Sequence, residues 1–260
     1  MTRLAVAILV LSACAAVRAQ AGEPDIRWRY WEPKLSAGIK SSSRPLPGDL
    51  LRPDTFGWKK HKSIDRFDVV IPWRSSRLQL SLWEVRYSGN RTQASVVNFN
   101  GTQFDAGPLY SVFRLTNYDL RWEFDLFRSG RSTFFSLGFG PLTARYYMRV
   151  KGDASGVPHR EVVDRDYLVP RLSISAYAIS RSRQGNLIVG ATVVFTRYAY
   201  HGLDVNDAVE VSVFFQYGPQ AMVHFGFSRY GVSLIDRSKS TEFRVRCYLD
   251  GLFIGASISF

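Results

Sequence analysis

Apolar and polar residues alternate along most of this chain with a period of two. Tyr118, Leu120, Trp122, Phe124 and Leu126 fall on one side of an extended segment, and Asp119, Arg121, Glu123 and Asp125 fall on the other. A helix would repeat its apolar positions every 3.6 residues, whereas successive strand side chains point to opposite faces. The spacing predicts strands near 27–40, 63–72, 77–88, 108–128, 131–151, 161–180, 187–200, 207–217, 221–237 and 241–260. That makes about ten, an even number of the kind bacterial transmembrane barrels have, with 8 or 12 as alternatives.

Short turns are expected at Pro72–Ser76, Arg128–Arg131, Arg181–Asn186 and Tyr217–Gln220, and longer connections at 41–62, 89–107, 152–160 and 201–206. Tight and long connections thus alternate, the mark of an up-and-down antiparallel order. Within the second long connection, Ser95–Phe99 and Thr102–Phe104 flank Asn100–Gly101, a strong type I′ turn signal. It reads most simply as a strand extension above the barrel; a separate paired flap is the alternative.

Period two fits either a soluble barrel with an apolar interior or a membrane barrel with an apolar exterior. Several strands can reach about 20 residues, against a soluble mode of about 5 to 6. Aromatics also gather near strand ends, at Trp28, Tyr30, Trp31, Trp73, Tyr146, Tyr147, Tyr198, Tyr200 and Tyr217, where belts at a lipid–water boundary would need them. Both features favour an all-β transmembrane barrel, with Asp119, Arg121, Glu123, Asp125 and Arg171, joined by Arg66 and Arg77, as a charge ladder filling a narrow lumen. Open aqueous pores need about 16 or more strands, so general porin activity is not expected.

The two ends of the chain agree. A basic start, Met1-Thr2-Arg3, runs into Leu4–Leu11, too short for a membrane helix of about 20 apolar residues. Small residues then offer cleavage after Ala19 or Ala21, so residues 1–21 read as a signal peptide and 22–260 as the barrel. Leu11-Ser12-Ala13-Cys14 also resembles a lipobox, an alternative processing site. At the other end Leu252, Ile254, Ala256, Ile258 and Phe260 share one face, with Gly255, Ser257 and Ser259 opposite. This resembles the C-terminal signal by which the barrel-assembly machinery recognises bacterial outer-membrane proteins. The expected location is therefore a Gram-negative outer membrane, with periplasmic termini and outer-membrane lipids as neighbours.

Composition narrows the function classes further. The formal net charge is +12, but the basic residues are interleaved with acids rather than gathered, so a nucleic-acid partner is not expected. Once the leader is removed Cys247 stands alone, which rules out an internal disulfide. Candidate chemistry is sparse. His61, His159 and His201 lack partners at catalytic spacing, no metal-ligand or phosphate-loop motif occurs, and no cofactor is expected. His224 and Ser228 share the luminal face, but four residues separate them, about 13 Å along a strand. A lipid A acyl hydrolase would instead hold a His–Ser pair on the lipid face, and a lipocalin-like carrier would hold an apolar lumen.

The segments Arg77–Trp83, Tyr87–Gly89 and Phe99–Phe104 are similar to the second hairpin of small bacterial outer-membrane barrel proteins of unassigned function. The resemblance implies architecture and location and brings no catalytic residues. The expectation is a non-enzymatic barrel with a structural or interaction role, or restricted passage of a small solute. An outer-membrane lipid-modifying enzyme and a soluble carrier are the alternatives.

Overall fold

The computed structural model describes residues 24–260 except 44–45, 74, 130–132, 183–184, 197–202, 218–219 and 238–240. For 128–129, 179, 181–182, 185–196, 203–207, 217 and 236–237 only the backbone is described. The expected leader, its cleavage and lipidation sites, and Tyr198, Tyr200 and His201 lie outside the described residues.

Among the described residues, twelve strands and one short helix follow in chain order: β1 (Asp25–Ser43), α1 (Pro53–Phe56), β2 (Ile64–Trp73), β3 (Ser76–Gln93), β4 (Val97–Phe99), β5 (Thr102–Phe104), β6 (Gly107–Ser129), β7 (Thr133–Ala154), β8 (Val157–Ser182), β9 (Gly185–Thr196), β10 (Leu203–Tyr217), β11 (Ala221–Arg237) and β12 (Thr241–Ser259). Ten of them close an antiparallel barrel in the order β1-β12-β11-β10-β9-β8-β7-β6-β3-β2, with β2 returning to β1. This is the transmembrane up-and-down barrel expected from the period-two pattern. β4 and β5 form a separate two-stranded sheet.

The strands are much longer than a membrane crossing requires. β6 has 23 residues and β8 has 26, whereas about 9 to 11 tilted residues span a bilayer core. The excess builds a second storey, and the chemistry of the two faces exchanges between them. In β12 the outward positions near the terminus are Leu252, Ile254, Ala256 and Ile258; toward the loop end the outward series continues as Asp250, Tyr248, Arg246 and Arg244. Inward positions run the opposite way, from Ser257 and Gly255 to Leu249, Cys247, Val245 and Phe243. β3 repeats this, with Leu80 and Leu82 outward giving way to Glu84 and Arg86, while Gln79 and Ser81 inward give way to Trp83, Val85 and Tyr87.

The lower storey, at the terminus end, is therefore apolar outside and polar inside. From Leu252 to Phe260 the apolar series climbs about 27 Å along the strand, or about 20 Å along the barrel axis at a tilt of about 40°. That is close to the roughly 25 Å lipid-facing band of such barrels. Trp122 and Phe124 stack outward with Phe139, at centroid distances of 5.5 and 5.7 Å, inside this band. The upper storey has the inside-apolar arrangement of a soluble barrel.

The face exchange accounts for a feature near Arg229–Tyr230, where the apolar residues of the sequence shift from odd to even positions in a way that suggests a bulge. The structure has none there. Arg229 pairs with Asp250 and Tyr230 with Leu249 in unbroken register. The apolar residues move from the outer to the inner face while the alternation itself never slips.

Two elements fold over the mouth of the upper storey. After β1, the chain returns along its own strand through bridges at Ile39–Leu51 and Lys34–His61, carrying α1 between them. Trp58 stacks on Phe56 and Phe113, at 5.1 and 5.6 Å, and its Nε1 donates to Ser111 Oγ at 2.7 Å. Gly89 makes this packing possible, since a Cβ there would stand 2.0 Å from the Phe56 carbonyl oxygen.

The second element is the β4–β5 hairpin. Asn100 and Gly101 take φ of 51° and 86°, as a type I′ turn demands. The simpler expectation of a strand extension is overturned, because the hairpin is not continuous with the barrel sheet. Val97, Phe99 and Phe104 are buried in the upper core; three apolar side chains on a free extension would face water on both sides. Trp31 and Tyr146 are corrected likewise. Neither sits in an interfacial belt, and both are buried in that core with Leu35, Trp83 and Leu249.

Candidate functional site

The lumen of the lower storey is the densest collection of polar chemistry among the described residues. Most members occupy an inward position between two outward apolar residues, as Arg29 does between Trp28 and Tyr30, and Asp68 between Phe67 and Val69. One group is a neutral four-membered set. Arg29 reaches Asp68 at 3.1 Å and Glu210 at 2.6 Å, and Arg66 reaches the same two carboxylates at 2.9 and 3.1 Å. A second group runs up one wall from Arg77 to Glu123 (2.6 Å), Glu123 to Arg121 (3.5 Å), Arg121 to Asp119 (3.2 Å) and Asp119 to Arg171 (2.9 Å).

The residues expected to form a ladder thus lie as follows. Asp119, Arg121, Glu123 and Arg171 are buried in one chain of contacts. Asp125 stands one step nearer the terminus end, where it accepts a hydrogen bond from Ser136 Oγ at 2.9 Å. Arg29, Asp68 and Glu210 join the set beyond the residues expected from the sequence. Their signal was there to find: each is a single charge between apolar neighbours in a period-two run.

Burial explains why these side chains pair with one another. A charge taken out of water is costly unless an opposite charge and further hydrogen bonds replace the lost solvation. With only about 40 Å³ left among Arg29, Arg66, Asp119, Arg121 and Arg171, the space holds about one or two waters. Toward the terminus end lies a larger recess of about 230 Å³ between Arg27, Arg77, Gln79, Asp125 and Tyr177. Toward the loop end the ladder is capped by Trp31, Trp83 and Tyr230, which meet edge to face at 5.8 and 5.0 Å. Among the described residues the interior is therefore filled at two successive levels, first by ion pairs and then by the apolar core with its cap.

His224 lies inside the lower storey, packed between Phe214 and Phe253 at centroid distances of 5.4 and 6.1 Å. Its ring sits over Gly255, where a Cβ would come within 2.2 Å of Nε2. Among the described residues neither ring nitrogen has a hydrogen-bond partner. Ser228 faces the same lumen beside Glu210, its cross-strand partner, and makes no contact with the imidazole. A general base must lie within about 2.6 to 3.2 Å of the proton it removes, so this pair is not assembled for hydroxyl activation.

A second histidine sits at the loop end. His159 Nε2 lies 3.0 Å from Glu161 Oε1 and 3.5 Å from Thr102 Oγ1, and the same Glu161 accepts from Thr102 at 2.7 Å and Asn100 at 3.0 Å. Burial raises the Glu161 carboxyl, but the hydrogen bonds from His159, Thr102 and Asn100 outweigh it and hold its pKa below the usual carboxylate range. One imidazole nitrogen faces both the hydroxyl and the carboxylate. It cannot take a proton from one while donating to the other, as a nucleophile–base–acid relay requires. The cluster is a latch tying the β4–β5 hairpin to β8.

In the upper core Cys247 is a free, buried thiol whose pKa burial pushes up to about 12, the opposite of an activated nucleophile. Among the described residues no group of three metal-binding side chains occurs.

No protein-family model and no curated protein matches the sequence. Solved structures resemble it in fold. The outer membrane protease OmpT from Escherichia coli has 14% identity over 91% of this chain and 97% of its own, with a TM-score of 0.52. The translocator domain of the autotransporter NalP from Neisseria meningitidis covers 100% and 97% at 8% identity and a TM-score of 0.40. The attachment invasion locus protein Ail of Yersinia pestis covers 93% and 100% at 10% identity and 0.34. At these identities the likeness to OmpT is one of fold.

Proposed function

We propose that this chain is a non-enzymatic barrel of the Gram-negative outer membrane, closed to bulk solute, whose upper storey projects from the outer leaflet as a rigid interaction platform. The observation that carries this reading is the interior filled at two successive levels, which suits a scaffold better than a conduit. The apolar lower band gives the membrane anchor, and its lipids are the expected surroundings. In this reading the termini are periplasmic, and the barrel-assembly machinery is the partner during insertion, recognising the Leu252, Ile254, Ile258 and Phe260 face.

Bilayer conductance tests it. The folded protein in a planar bilayer should give no steady single-channel steps. Removal of the β4–β5 hairpin by deleting 94–106 should leave it silent, because the ion-pair level still fills the lumen. Stable conductance from the intact protein would overturn the reading in favour of solute passage.

A further inference from the structure

The outward face of the upper storey carries cations that the protein itself does not neutralise. Above the apolar band, β3, β6, β7 and β8 place Arg86 opposite Arg114 and, four residues farther up, Lys151 opposite Arg160. Like charges directly opposite on neighbouring strands are destabilising. Arg149 lies between these pairs, with its guanidinium over the Tyr110 ring at 5.7 Å, as Arg114 lies over Tyr147 at 5.6 Å. Acids do stand nearby, but they are engaged elsewhere or loosely. Asp164 is taken by Arg145 at 2.6 Å, and Glu84 is 3.8 Å from Arg114. Among the described residues, Arg86, Arg149, Lys151 and Arg160 have no ion-pair partner.

We infer that this face binds the phosphate groups of lipid headgroups in the leaflet around the upper storey. The inference rests on the proposed membrane position and names the chemistry of the lipid contact. Three features point to phosphate. The lowest of the cations, Arg86 and Arg114, stand four residues beyond Leu82 and Tyr118 on the same outward rows, with Glu84 and Thr116 between, about 10 Å along the barrel axis and so on the headgroup side of the apolar band. Arginine offers a planar fork that matches phosphate oxygens. The ring contacts hold two guanidiniums against the strand surface, lowering the entropy lost when an anion is bound. An anion between Arg86 and Arg114 would convert a repulsive pair into a bridged one.

Native mass spectrometry of the folded protein in neutral detergent provides the test, with bisphosphorylated lipid A, the same lipid lacking both phosphates, and inorganic phosphate as probes. Bisphosphorylated lipid should bind in preference to the dephosphorylated form. The triple change Arg86→Gln, Arg114→Gln, Arg149→Gln should weaken it about a hundredfold, since each surface cation contributes about fivefold. The matching Arg→Lys triple, which keeps the charge but loses the fork, should weaken it less than the Gln triple. Equal binding of both lipids would overturn the inference. So would an equal loss from Lys34→Gln, Lys40→Gln, Arg246→Gln on the β1–β12 flank, which would make the attraction diffuse. Inorganic phosphate displacing the lipid at equal concentration would identify a free-anion site instead. Heat-modifiable mobility in phosphatidylcholine vesicles reports separately on membrane insertion, so failure of the barrel reading is distinguishable from failure of the lipid contact.

Discussion

Gly89 and Gly255 owe their places to what lies over them. At Gly89 the cap backbone comes so close that a methyl group has no room. Gly89→Ala should therefore push α1 and Trp58 off the mouth, destabilising the upper storey by about 1 to 3 kcal/mol. The checks are a lower melting temperature and a red-shifted tryptophan emission, with the lower storey intact. Glu161 makes a pH-dependent prediction. Its folded-state pKa is held below the unfolded value, about 4.3, so its stabilisation is complete above that value and is lost as pH falls through the folded one. The hairpin latch should loosen over that acid window in the wild type, and Glu161→Gln should remove this part of the pH dependence. Amide hydrogen exchange at 97–104 measures it. Arg29, Asp68 and Glu210 show what sequence reading misses at this scale. Alternation placed each inside, but the contacts joining β1, β2 and β10 depend on barrel closure, which no local pattern contains.

Among the elements, the β4–β5 hairpin shows the limit of legibility most clearly. Asn100–Gly101 made the turn readable, because only residues tolerant of positive φ close it. Its position over the barrel depends on Phe99 and Phe104 finding a cavity built by strands far away in sequence. The double change Phe99→Ala, Phe104→Ala should release the hairpin, each truncation costing about 3 to 5 kcal/mol of core packing. Limited proteolysis should then cut within 94–106 while the trimmed barrel keeps its heat-modifiable mobility. β12 carries a further prediction about assembly. Phe260→Asp should reduce outer-membrane insertion far more than Ser259→Ala, because it removes the terminal aromatic of the outward apolar face. The yield of folded barrel in isolated membranes checks this.

Taken whole, the molecule is one sheet rolled closed and asked to meet two solvents. The strand count, the order and the long strands were legible, because period two holds through most of each strand, slipping only near strand ends such as Asp125–Phe127. The two storeys were not, because a local list of apolar positions cannot tell a bulge from an exchange of faces. Only the unbroken register of β11 on β12 separates them. The same exchange explains how a polar lumen and a densely apolar core coexist in one barrel. Each faces inward at the level where the outside has the opposite character.

That exchange is tested most directly by spin labels at successive outward positions of β3, on a Cys247→Ser background. Labels at Leu80→Cys and Leu82→Cys should be accessible to oxygen and shielded from a water-soluble nickel chelate, as in lipid. Those at Glu84→Cys and Arg86→Cys should reverse both accessibilities. A lipid-like response at all four positions would contradict the two-storey barrel, as would a water-like response at all four.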